Sequence, residues 1–109
     1  KEASEYYRTE RCAYPTSVNK MAVQSLDRLA AFDAFQYIDT VSPRPVLLIV
    51  GSLADTKHFS EDAYNRAKEP KELFVVDGAT HVDLYDVPKF VEQAVNKLTA
   101  FFDENLKNA

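Results

Sequence analysis

Two apolar runs constrain this chain more than anything else in it: "VLLIV" at Val46 to Val50 and "LFVV" at Leu73 to Val76. Neither alternates polar with apolar residues. A strand with one face in water shows that alternation, so unbroken runs belong to strands with both faces buried, as in a parallel sheet sandwiched by helices. Parallel strands also need a crossover connection, and the residues between the runs carry a helical pattern, which makes one right-handed βαβ unit. The only two glycines stand just past the runs, Gly51 directly after the first and Gly78 two residues after the second.

The flanking segments read as helices. Thr16 or Ser17 suits an N-cap, and Val18, Met21, Ala22, Leu26, Leu29 and Ala30 then recur with the spacing of one helical face. This helix fades near Ala31 to Phe35, while residues 1–15 read as polar, aromatic and irregular. Pro43 and Pro45 bias the residues before them toward extended backbone and lead into the first strand. "SLADTKHF" is a loop; Ser60 is the next N-cap, with Glu61 and Asp62 in a first turn that favours acids, and the helix runs to about Lys68, ahead of Pro70. Asp77-Gly78 is a turn. The last helix opens at Asp86 to Pro88, continues toward Leu106, and turns Val91, Ala94, Val95, Leu98, Phe101 and Phe102 toward the sheet. The expected fold class is therefore α/β, a βαβα arrangement of two parallel strands flanked by about three helices. Residues 1–109 read as one segment, with a helical region at 1–42 and the strand region at 43–109.

Composition narrows the partners. A chain of 109 residues with 46% apolar side chains lies within the usual single-domain range of about 100 to 150. Its 13 basic and 17 acidic residues give a net charge of −4, and the basic ones are scattered, so nucleic acid is not an expected partner. The longest apolar run, Pro45 to Val50, is far short of the roughly 20 residues a membrane span needs, and no charged-then-apolar leader opens the chain. No membrane partner is expected. Cys12 is the sole cysteine, which rules out an internal disulfide or a cysteine zinc site and points to a reducing, cytoplasmic compartment. It lies in the polar stretch "RTERCAYP", without the strand-to-helix setting that activates a thiol. His58, His81 and Asp83 lack compact ligand spacing, so no metal and no cofactor are expected.

Chemistry enters at the strand ends. In open α/β sheets functional groups collect past the carboxyl ends of the strands, and the chain puts Asp55 after the first strand and His81, in "DGATHVDLYD", after the second. Loops that follow adjacent parallel strands meet. A carboxylate that accepts a hydrogen bond from an imidazole fixes its tautomer and supports its charged form during proton transfer. The same residues also suit a plain loop aspartate and a surface or core histidine.

The segments "YYRTERCAYP", "SPRPVLLIVGSLADT" and "DGATHVDLYD" resemble the C-terminal part of α/β-hydrolase enzymes, in particular the bacterial dienelactone-hydrolase-like and prolyl-peptidase-like branch. The resemblance covers nearly the whole chain. It implies a Ser-acid-His order, with His81 as general base, Asp55 as the acid that orients it, and an incomplete sheet in this chain. Glu61 and Asp62 compete with Asp55 for the acid's role. The residues before Pro43 would correspond to the region between the sheet and a substrate-covering cap.

The superfamily's nucleophile sits on a G-x-S-x-G elbow, and none of Ser4, Ser17, Ser25, Ser42, Ser52 or Ser60 is flanked by glycines in that way. No oxyanion-hole motif is present either. The expectation is therefore the C-terminal portion of a larger esterase-like serine hydrolase with a small-molecule ester substrate, nearly inert by itself. Two other classes stay open: a non-catalytic α/β binding or interaction module, and a stand-alone regulatory module in which Asp55 and His81 are incidental. A sheet of two strands exposes its edges, so a homodimer or higher oligomer is also expected.

Overall fold

The computed structural model describes residues 2–17 and 20–106. The chain divides into two compact units, residues 1–36 and residues 37–109.

The first unit holds α1 (Glu2–Arg8) and α2 (Gln24–Ala31). The irregular backbone expected over residues 1–15 is thus replaced at its start by a helix. Glu2 and Glu5 in its first turn and Arg8 in its last match the helix dipole. The Thr9 hydroxyl, donating to the Glu5 carbonyl at 2.7 Å, caps its far end. α2 starts later than the apolar spacing implies. Neither Thr16 nor Ser17 caps it, because the Ser17 N–H closes a turn on the Tyr14 carbonyl at 2.9 Å and the first bonds of the helical turn are Ser25 to Ala22 and Leu26 to Val23. Met21 and Ala22 precede the helix, and Val18 lies outside the described residues.

The second unit carries a 3₁₀ turn (Ile38–Val41), β1 (Val46–Gly51), α3 (Lys57–Arg66), β2 (Lys71–Val76), α4 (Asp83–Asp86) and α5 (Pro88–Leu106). Among the described residues it is a mixed α/β unit around a two-stranded parallel sheet, in register from Val46 opposite Lys71 to Gly51 opposite Val76. β2 opens two residues before its apolar run. The polar pair there is accommodated because Lys71 Nζ donates to the Tyr64 and Ala67 carbonyls at the end of α3, both at 2.8 Å, while Glu72 pairs with Lys97 of α5.

Ser60 is not an N-cap. α3 begins at Lys57, three residues earlier, since successive turns run straight off β1 through Ala54 N–H to Gly51 O and Lys57 N–H to Ala54 O. It ends at Arg66, with Ala67 already extended. The core gathers Val76, Ala79 and Phe90, with Ile49, Phe74, Leu84 and Val87 against them. Both-sided burial of the strands holds only at their carboxyl ends: Val50, Gly51 and Val76 are buried, whereas Val75 is 40% exposed. Two strands are mostly edge, and the rims stay open. The stripe expected on α5 is likewise only partly covered, with Val91, Ala94, Leu98 and Phe101 half-buried and Val95 and Phe102 exposed; the buried residue of the helix is Phe90, outside that stripe.

The glycines do separate jobs. At Gly51 a Cβ would overlap the Ala79 carbonyl oxygen and lie 2.9 Å from the Thr80 carbonyl oxygen, so the two strand-end backbones touch only because no side chain intervenes. At Gly78 a Cβ would meet the Phe90 ring at an ordinary 4.0 Å, and the glycine instead supplies a φ of +74°. Gly51→Ala is expected to destabilise the chain by about 3 kcal/mol, the upper range of overpacking, because its obstacle is backbone. Gly78→Ala should cost about 1 to 2 kcal/mol, the ordinary left-handed penalty. Urea midpoints followed by circular dichroism check the ranking; equal losses would show that the close approach is not the stiffer constraint.

Candidate functional site at the strand ends

Past the last ladder residues the backbone keeps pairing. Ser52 N–H donates to the Val76 carbonyl at 2.9 Å and Leu53 N–H to the Ala79 carbonyl at 3.0 Å. A side-chain clasp is added: Ser52 Oγ donates to Asp77 Oδ1 at 3.0 Å and accepts the Gly78 N–H at 2.8 Å. The second loop is pinned further by the Thr80 N–H on Asp83 Oδ2 at 3.0 Å, and by Ala79 and Val82, both buried, on either side of Thr80 and His81.

His81 is therefore held by its neighbours while its ring stands exposed between the loops. Its Nδ1 is 3.0 Å from Thr56 Oγ1, and its Nε2 is 2.6 Å from the Tyr85 hydroxyl, whose ring meets the imidazole edge-on at 5.3 Å and 81°. Thr56 occupies the N-cap position of α3, where its hydroxyl would ordinarily bond the helix's own N–H groups. It makes no such bond and is turned toward His81 instead. The three side chains border an open recess of about 320 Å³ whose other walls include Ile49, Phe59 and Leu84.

The two loops named from the sequence thus come together, one residue out of step. The hydroxyl at His81 Nδ1 belongs to Thr56, while the adjacent Asp55 is exposed and offers its backbone carbonyl to His58 Nδ1 at 3.1 Å. The competing acids are engaged along α3, Glu61 with Lys57 at 3.2 Å and Asp62 with Arg66 at 3.3 Å. His58 lies against the Phe59 ring, and Cys12 is an exposed thiol in the first unit. Among the described residues no group of three or more His, Cys, Asp or Glu is placed to hold a metal ion, and no helix is long and apolar enough to cross a membrane. Thr56 and Tyr85 were not candidates from spacing. The available signals were the position of Thr56 beside Asp55 and the i,i+4 separation of His81 and Tyr85, which shares a face if the segment turns helically.

No family model matches the chain. It is 36% identical over 107 residues to the Escherichia coli K12 protein named "Uncharacterized protein YcjY", a match that takes in 97% of this chain and 35% of that protein. It is 42% identical over 105 residues to "Uncharacterized protein PA2218" of Pseudomonas aeruginosa, across 94% of this chain and 28% of the relative. A crystal structure of hypothetical protein PA2218 superposes with a TM-score of 0.86 at 39% identity, over 95% of this chain and 33% of that one. The chain spans about a third of the length of the curated relatives it matches.

Ser52 is the one serine directly after a strand, and its hydroxyl is occupied in the clasp to Asp77 and Gly78. Ser52→Ala removes both bonds, and the expected loss is about 1 to 2 kcal/mol, since a Gly78 N–H and a carboxylate lose a partner near water. Faster amide exchange at Gly78 should accompany it. Unchanged exchange there would mean that the backbone pairing alone joins the loops.

Proposed function

We infer that this chain is the acid- and base-bearing C-terminal part of an α/β-hydrolase-type serine hydrolase that acts on ester bonds, with amide and lactone as the neighbouring carbonyl substrates. One observation carries the reading: His81 sits at the carboxyl end of β2 with Nε2 already facing a hydroxyl and Nδ1 facing the loop of Asp55. That is the orientation a general base needs, one nitrogen toward the group it deprotonates and the other toward the group that steadies it. In this role His81 takes the proton of a serine hydroxyl during acyl transfer and returns it to the leaving alcohol. Asp55 is the acid assigned to the Nδ1 side: its carboxylate would orient the ring and support its charged form by taking the place at Nδ1 that the adjacent Thr56 hydroxyl occupies. Glu61 and Asp62 are less suited, each being paired along α3.

The recess supports the same substrate class. No charged side chain lines it, and Ile49, Phe59 and Leu84 offer apolar wall beside the base, which suits an uncharged acyl or alcohol group rather than an ionised one. The greater length of the relatives leaves ample chain for a nucleophile and its oxyanion donors.

Chain 1–109 is expected to resist labelling by a serine-directed fluorophosphonate, because acyl-enzyme chemistry requires an activated nucleophile. Stoichiometric labelling of any of its serines would overturn the assignment. In a polypeptide that also carries the nucleophile, His81→Ala should lower kcat/KM toward an activated ester by about 10³-fold or more, and Asp55→Asn should be severe too. Glu61→Gln, His58→Ala and Cys12→Ser should stay near wild type. Full activity in His81→Ala would refute the reading, whereas a severe Glu61→Gln beside a mild Asp55→Asn would move the acid alone.

The isolated chain has a second property to account for. β1 and β2 each have an outer edge with no partner strand among the described residues, and Val75 of β2 is 40% exposed. Such edges recruit other chains. The isolated chain should therefore sediment at equilibrium as a dimer or larger, by edge pairing about a two-fold axis or by exchange of an N-terminal helix. A cooperatively melting monomer at high micromolar concentration contradicts this.

A further inference from the structure

Taking its catalytic meaning from the hydrolase reading, we propose that Tyr85 is a positioning residue for the base: its hydroxyl donates to His81 Nε2 and holds the imidazole in the tautomer protonated at Nδ1. A neutral imidazole has one donor and one acceptor nitrogen, and both nitrogens of His81 have a hydroxyl within reach. Two arrangements satisfy that pair. In one, Tyr85 donates to Nε2 and Nδ1–H donates to Thr56; in the other, Thr56 donates to Nδ1 and Nε2–H donates to Tyr85.

The chemistry of the two hydroxyls separates them. A phenol is far more acidic than an aliphatic alcohol, hence the better donor and the poorer acceptor, and its contact is the shorter one, 2.6 Å against 3.0 Å. The first arrangement matches the stronger donor to a lone pair and leaves Thr56 to accept. It is also the form a general base requires, since only an imidazole protonated at Nδ1 keeps the Nε2 lone pair for a nucleophile's proton. A serine hydroxyl that approaches Nε2 must then take the place of the tyrosine's. Tyr85 is 49% exposed on the short helix α4, so the exchange takes place on the solvent-facing side of the ring. The phenol thus keeps the base in its working tautomer until the nucleophile's hydroxyl replaces it.

The tautomer can be read without turnover. In chain 1–109 labelled with ¹⁵N at histidine, long-range ¹H–¹⁵N correlation spectra with both imidazoles neutral should show His81 with a pyrrole-type Nδ1 and a pyridine-type Nε2. Tyr85→Phe keeps the ring contact and removes the hydroxyl. It should shift His81 toward the Nε2–H form that an unrestrained histidine prefers in water, while His58 keeps its own pattern. A wild-type His81 protonated mainly at Nε2, or a ratio unmoved by Tyr85→Phe, overturns the proposal; the wild-type spectrum alone decides the tautomer should the variant not fold. Failure of the hydrolase reading would show instead in the labelling and His81→Ala measurements, which do not depend on the tautomer.

Discussion

The contact on which the rest of the structure depends is the approach of the Gly51 backbone to the carbonyl of Ala79. Parallel strands usually separate beyond their last ladder bond, because the chain leaves each for a different helix. Here the approach lets Leu53 N–H reach Ala79 O, and Ser52 ties itself to Asp77 and Gly78. Two loops that would otherwise drift apart are stitched along their first residues, and a threonine and a histidine 25 positions apart in sequence come within 3.0 Å. Small residues make this possible on both sides: glycine at 51, and at 79 an alanine that is fully buried.

What could be read from the sequence follows the range of the forces involved. The βαβ unit was legible because a run without alternation records its own position in a sheet, and Val46 and Leu73 mark strand starts to within two residues. The last helix was legible from Pro88, which suits a first turn. The start of α3 was not. Capping rules point to Ser60, but the turn after β1 is dictated by hydrogen bonds to the other loop, and no local window contains them. Apolar stripes have the opposite fault: they mark which side of a helix is apolar and say nothing of what covers it, so Leu26, Leu29, Val95 and Phe102 can all be exposed.

At the site, strand order has the resolution of a loop and not of a residue. It brings together the loops of Asp55 and His81, yet consecutive residues in a tight turn point in different directions, and the hydroxyl at Nδ1 is that of Thr56. Tyr85 escaped notice for another reason. It lies on a helix of only four residues, Asp83–Asp86, too short to show any periodicity. Its link to His81 is local and becomes readable only once the turn after Gly78 is known to be helical.

The kind of atom at each nitrogen decides what the ring does. A carboxylate only accepts, so beside an imidazole it selects the tautomer by itself, and with a charge-assisted bond. An aliphatic hydroxyl donates or accepts with little preference and selects nothing, so Thr56 at Nδ1 leaves both forms of His81 open. The choice then passes to the other nitrogen, where a phenol stands in place of an alcohol. Asymmetry between two hydroxyls of different acidity can thus do at His81 what a carboxylate does alone. Asp55 remains one residue away in the same loop, and a carboxylate at Nδ1 would favour the same Nδ1–H tautomer that the phenol favours from the opposite side.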